Sequence, residues 1–250
     1  MHPFLNSCPG LLVYAEGMNA PASSPVPTAA IVARFFVSFG LMGACFFATA
    51  GTLAWVEAWA YLAVQFASSL TMTAWMVRHD PALLESRMTF FKHDMQPRDR
   101  LFMGVFVLLF IPFLLLPGLD AVRYGWSEVP IWLEAVGLAG VAGSMLLILK
   151  VMQVNSFASP TIEVQKERGH RVIDTGPYAL VRHPMYSGFT FYMACVSLAL
   201  GSWWTLLVGV LIAVLFLLRI PMEEQTLRTE LDGYADYCNH VHFRLIPGVW

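Results

Sequence analysis

Charge is what this sequence has least of. Asp, Glu, Lys and Arg together make up 13% of its 250 residues, where a soluble domain carries about 25%. With 15 basic and 17 acidic residues the net charge is −2, so no positive field draws the chain to nucleic acid. Cysteine is sparse and scattered: Cys8, Cys45, Cys195 and Cys238 form no CxxC or CxxxC spacing. They supply neither a disulfide framework nor a zinc site, and those within the apolar runs read as small fillers. No HExxH, no P-loop motif and no strand-borne GxGxxG occurs, which argues against zinc-peptidase, P-loop and soluble Rossmann chemistry. No metal is expected. Residues 1–17 also lack the basic n-region of a signal peptide. Residues 1–28 are poor in charge and rich in Pro, Ala and Ser; they read as a disordered extension or as a misassigned start, with Met18 the alternative initiator.

Apolar sequence is abundant: 57% of the residues are hydrophobic and the mean hydropathy is +0.60. A bilayer crossing needs about 20 mostly apolar residues. Six stretches qualify, at about 29–50, 54–77, 101–117, 130–154, 184–200 and 203–220. The expected fold is therefore an all-α, polytopic membrane bundle of about six spans, with five or seven as the neighbouring counts. Gly51-Thr52 and Gly201-Ser202 make tight breaks, so the first and last pairs read as helical hairpins. The chain divides into the extension 1–28, a four-span bundle at 29–154 and a polar-rich C-terminal unit at 155–250.

The loops sort by charge. Arg78, Arg87, Lys92, Arg98 and Arg100 fall after the second span, and Lys166, Arg168, Arg171 and Arg182 after the fourth, while the loop 118–129 has only Arg123. Positive residues gather on the cytoplasmic side. That puts both termini and every polar-rich segment in the cytoplasm. Gly137, Gly140 and Gly143 recur in the fourth span and suit close helix packing. Trp55, Trp59, Trp132, Trp203 and Trp204 lie near span ends and read as interface anchors. Asp80-Pro81-Ala82-Leu83-Leu84-Glu85-Ser86-Arg87 reads as a short amphipathic helix capped by Asp80, resting on the membrane surface.

One polar cluster stands out. Gly176-Pro177-Tyr178 leads to Arg182-His183-Pro184-x-Tyr186-x-Gly188 at the mouth of the fifth span, and Glu223-Glu224 follows the sixth. Polar groups at membrane depth are costly and mark function by default. Pro184 suits the first position of a helix. His183 and Tyr186 then sit at a helix start whose free N–H groups favour an anion, pointing to an anionic ligand. The competing reading is a basic loop anchored to lipid phosphate. Arg219 and Glu223 are four apart and share a helical face, although Pro221 should bend or interrupt that helix. Arg219 could equally snorkel to the headgroups, leaving the glutamates at a solvated helix end.

Taken together these residues resemble the isoprenylcysteine carboxyl methyltransferase family and its phospholipid N-methyltransferase relatives. The shared pattern runs from Gln165 through His170-Arg171-Val172-Ile173, Gly176-x-Tyr178 and Arg182-His183-Pro184-x-Tyr186-x-Gly188. It continues with Arg219, Glu223-Glu224, Gly233-Tyr234-x-x-Tyr237 and Ile246-Pro247. The match covers about 155–250. The stretch Asp80-Pro81-x-Leu83-Leu84-x-x-Arg87 is similar to the bacterial branch. The resemblance implies S-adenosylmethionine in a cytoplasmic pocket of the C-terminal half, touched by Gln165, His170, Val172, Ile173, Tyr178, His183, Pro184, Tyr186 and Glu223. It implies that Arg219 orients a lipophilic acceptor entering from the bilayer, with Arg219 and Glu223 as the catalytic pair. The Gln165-to-His170 gap is shorter than in eukaryotic members, which bears on Gln165 first.

The implied activity is methyl transfer, with carboxyl O-methylation of an isoprenylcysteine-like or other lipid acid foremost, in a bacterial inner membrane and with no obligatory protein partner. Two other classes compete. A membrane reductase related to sterol reductases would bind NADPH, and a non-catalytic scaffold would bind neither cofactor.

Overall fold

The computed structural model describes residues 27–88, 96–159 and 161–250. Positions 1–26, where most of the expected extension falls, and Lys92 lie outside them. Thr28 already opens the first helix. Every regular element among the described residues is helical: α1 Thr28–Ala50, α2 Val56–His79, α3 Pro81–Met88, α4 Pro97–Pro117, α5 Ile131–Val154, α6 Pro184–Ala199, α7 Trp203–Glu230 and α8 Tyr234–His240.

Local chemistry sets the boundaries. α1 ends at Gly51, whose φ of 75° returns the chain in a conformation open to glycine at little cost. Pro97 and Pro184 open α4 and α6, where a missing N–H costs nothing. Ser202 caps α7 by accepting from Thr205 N at 3.0 Å. Asp80 Oδ1 accepts from Leu83 N at 2.9 Å and starts α3, as the spacing suggested. After Pro117 the helix widens into a π-type turn, Gly118–Arg123. A side chain at Gly118 would come within 2.7 Å of Ala50 N, so only glycine lets this turn close on the end of α1.

The six long helices alternate in direction, as their end contacts show. At one end the C-terminus of α3 meets the start of α1 (Arg34 to Met88 O, 2.6 Å), and Asp99 in the first turn of α4 meets Arg219 late in α7 (3.4 Å). At that same end Asn155, just past α5, meets Tyr178 (2.7 Å). At the other end Asp120 binds Ser127 and Ser202. α5 and α6 pack most closely. A side chain at Gly137 would strike Ala199 N at 2.6 Å, and one at Gly140 would overlap Cys195, whereas Gly143 faces open space. Two of the three glycines thus serve the packing expected of all three. Between the helices lies a core that includes Phe46, Tyr61, Phe113, Ile148, Met193, Ile212 and Phe216.

The outside of the bundle is apolar. Val37, Leu41, Trp132, Leu146, Leu207 and Leu218 are all exposed, a surface suited to lipid and not to water. Four helices are long and apolar enough to cross a membrane: Thr28–Ala50, Pro97–Arg123, Ile131–Val154 and Trp203–Glu230. α2 has 24 residues but carries Gln65, Ser68, Ser69, Thr71 and Thr73. α6 has 16 residues, about 24 Å at ~1.5 Å per residue.

Two local expectations change. Trp55 is no interface anchor: only 4% exposed, it packs edge-on against Phe46, while Trp59, Trp132, Trp203 and Trp204 are exposed. Pro221 does not interrupt its helix; α7 continues to Glu230. Continuity past Pro221 keeps Arg219, Glu223 and Glu224 on one helix.

Candidate active site

The site begins with how the chain's tail is held. Arg182 N and His183 N donate to Phe243 O and Arg244 O at 2.9 Å. The Arg182 guanidinium donates through Nη1 to Val241 O and His242 O, at 2.8 and 2.9 Å, and through Nε to Glu224 Oε1 at 2.7 Å. Arg244 reaches the other Glu224 oxygen at 3.1 Å, and His183 Nε2 lies 3.3 Å from Oε1. Glu224 is 3% exposed. A buried carboxylate with two arginines and an imidazole around it is satisfied on both oxygens. This junction ties the start of α6, the end of α7 and the tail into one body.

The paired tyrosines after Gly233 complete it. Gly233, at φ 80°, starts α8. Tyr237 Oη donates to Tyr178 O at 2.7 Å, and Asn155 Nδ2 donates to the Tyr178 hydroxyl at 2.7 Å. Burial pushes the Tyr178 phenol up to about 12, so it stays protonated.

These elements line a cavity of about 210 Å³. Eight of the residues singled out by the sequence line it: His170, Val172, Ile173, Tyr178, His183, Tyr186, Arg219 and Glu223. Gln165 and Pro184 do not. Gln165 Nε2 donates to Phe157 O at 3.0 Å and its backbone N–H donates to His170 Nδ1 at 3.3 Å. It shapes the loop that lays His170 flat on Phe157, with ring centroids 4.5 Å apart. Burial and neighbouring Arg168 lower the His170 pKa, so that ring is neutral at pH 7. Pro184 is buried as the first residue of α6.

The other side of the cavity is aromatic and comes partly from the N-terminal half. Phe102, Met103 and Phe106 of α4 face Phe189 and Phe216. Sequence reasoning missed this wall. Its signal was present: Asp99, Phe102, Met103 and Phe106 follow the i, i+3, i+4, i+7 spacing of one helical face.

Asp99, 3% exposed, pairs with Arg219 Nη2 at 3.4 Å, and the Arg219 guanidinium lies 4.1 Å from the Phe102 ring centroid. Arg219 also bonds the Tyr186 hydroxyl, which donates to Glu223 Oε2 at 2.6 Å. Asp99, Arg219, Tyr186 and Glu223 therefore form one polar chain across the cavity. Arg219 is thus not a headgroup anchor. The chain's own Glu223 and Glu224 also lie beside the start of α6, 3.9 and 3.3 Å from the His183 ring.

A helical bundle with an apolar exterior and a polar and aromatic cavity at one end has the architecture of an integral membrane protein. Residues 135–229 match the Isoprenylcysteine carboxyl methyltransferase (ICMT) family, and the chain is similar to that family over this stretch. It is also similar to Protein-S-isoprenylcysteine O-methyltransferase B of Arabidopsis thaliana, 26% identical over 113 residues, which are 44% of this chain and 57% of the plant protein. The matched segment thus spans little more than half of that relative. The match takes in His170 through Glu224, while Asp99, Phe102 and Phe106 lie before it.

Proposed function

We propose that the chain is an S-adenosylmethionine-dependent methyltransferase acting on a lipophilic acceptor, foremost the carboxylate of an isoprenylcysteine-like or other lipid acid. The observation that carries this reading is the meeting, in one cavity, of a polar wall with an aromatic one. Glu223 and the rings of Tyr186 and Phe216 suit a cationic group, and the neutral His170–Phe157 pair offers a flat face for a heteroaromatic ring. When bound, the cofactor supplies a methyl group on a sulfonium. The residues of this chain supply orientation. Glu223, held by Tyr186, keeps negative charge at the polar wall. Arg219, fixed between Asp99 and Phe102, orients the acceptor from the aromatic side. A carboxylate is already ionised at pH 7 and needs no general base, so the contribution of the protein is positioning and exclusion of water.

Six crossings, with both termini and the cavity on the cytoplasmic side, complete the proposal, in a bacterial inner membrane. The alternating helices support it, as does the gathering of Arg78, Arg98, Lys166 and Arg182 at the cavity end. In a background lacking the native cysteines, a cysteine at exposed Glu128 should react with an impermeant reagent applied outside intact cells, and one at exposed Glu167 should not. The opposite pattern would place the cavity on the wrong face for a cytoplasmic cofactor.

The cofactor is tested by calorimetry with S-adenosylhomocysteine in detergent. Tyr186→Phe and His183→Ala should each lose roughly 1–3 kcal/mol of binding, the worth of a hydrogen bond to a charged group. Full affinity in both variants removes this site, and binding of NADPH in place of S-adenosylhomocysteine turns the reading to a reductase. Incubating the protein with methyl-labelled cofactor and total lipids, followed by mass spectrometry, identifies the acceptor.

A further inference from the structure

Arg87 enters the sequence as one of the positive charges after the second span and as the last residue of the stretch Asp80–Arg87, with no role of its own; its place in the fold is specific. α3 is pinned at both ends, by Asp80 on Leu83 N and by Arg34 on Met88 O. Leu83 and Leu84 are buried in the core. Arg87 lies three and four residues on and so shares their inward face. It lines the cavity, where its charge is felt by both Tyr178 and Tyr186.

The other inward arginines of the site have carboxylates: Arg182 and Arg244 share Glu224, and Arg219 has Asp99; Arg171, also on the cavity lining, is exposed to solvent. Among the described residues Arg87 has none. Its polar contact is the Met185 sulfur, at 4.0 Å, and its Nε is shut off from solvent without a hydrogen-bond partner. A guanidinium does not escape burial by losing its proton. A half-buried charge without a counter-charge still loses hydration, and the open side of this one is the cavity. We propose that Arg87 is the anion-receiving residue of the cavity, its planar fork taking the carboxylate of a bound ligand. This rests on the methyltransferase reading for the identity of the ligand, not for the presence of the site.

Two ligands carry that chemistry: the amino-acid end of the cofactor and the acid group of a lipophilic acceptor. Two matched pairs separate them. The first is S-adenosylhomocysteine and its decarboxylated analogue; the second is N-acetyl-S-farnesylcysteine and its primary amide. Affinities are measured on the purified full chain in detergent for wild type, Arg87→Gln and Arg87→Lys.

In at least one pair wild type should prefer the acid by about tenfold or more. Arg87→Gln should abolish that preference while binding the neutral member normally, which also shows that the variant is folded. Arg87→Lys should keep part of the preference, since it retains charge without the fork. The pair that responds names the source of the carboxylate. A preference undiminished in Arg87→Gln, an equal loss for acid and neutral ligands, or a wild type with no preference in either pair overturns the proposal. If wild type ignores S-adenosylhomocysteine yet selects the farnesyl acid through Arg87, the methyltransferase reading falls and the anion site stands.

Discussion

Replacing Glu224 with alanine is expected to unfold the site, not to slow a reaction. Glu224 accepts from Arg182 at 2.7 Å, from Arg244 at 3.1 Å and lies 3.3 Å from His183, while Arg182 is itself 8% exposed. Truncation would leave that guanidinium buried without its counter-ion, which costs about 3–5 kcal/mol. Whole proteins are stable by only about 5–15 kcal/mol, so much of the margin is at stake. Arg182 also holds Val241 O and His242 O, so the tail should be released with it. Unfolding in detergent should move down by roughly 10 °C, and limited proteolysis should cut near 241–250. Glu224→Gln, which keeps an acceptor for Arg182 Nε, should lose less. An alanine variant that melts with wild type would mean that the two arginines find solvent and that the junction contributes little.

Arg219→Lys is the second substitution with a large expected effect, and here the loss is of turnover. Arginine at this position presents one edge to Asp99 and its face to Phe102. Lysine keeps the charge but loses the planar fork and the stacking. Misplacing an orienting group by about 1 Å can cost on the order of 100-fold in rate. Methyl transfer to N-acetyl-S-farnesylcysteine should fall by that order, with S-adenosylhomocysteine affinity changed less than about threefold. Glu223→Gln should do the reverse, weakening cofactor affinity first. Because Tyr186 bridges the two residues, Tyr186→Phe should affect both measurements. A lysine variant with normal turnover would reduce Arg219 to a packing role, and one that loses cofactor affinity while Glu223→Gln keeps it would exchange the two assignments.

Much of this protein was legible in the chain because membranes impose simple rules on sequence. An apolar run of the right length has no stable state in lipid other than a helix, so the stretches 29–50, 130–154 and 203–220 reappear within α1, α5 and α7. Proline at a first helical position and glycine at a left-handed end are decided by local sterics, which is why Pro184 and Gly51 read correctly. The motif residues His170, Tyr178, His183, Tyr186, Arg219 and Glu223 were legible as a group because they lie close in sequence and resemble the pattern of a known family, to which residues 135–229 are similar.

Tertiary structure alone decided the rest, and the reason is the same at each place. A pairing across the bundle leaves no local trace in sequence. Asp99 is 120 residues from Arg219 by their numbers, and its burial depends on α4 lying against α7. Trp55 sits at a span end, where sequence expects an interface anchor, yet Phe46 of the neighbouring helix covers it. Pro221 lacks a donor, yet the helix runs on through it to Glu230. Glu223 and Glu224 are adjacent and chemically identical; the family resemblance gave a role to Glu223 and none to Glu224, and no local rule of sequence says what Glu224 does. Helical rotation turns one into the cavity and the other onto Arg182 and Arg244, so that one is free to meet a ligand while the other holds the fold.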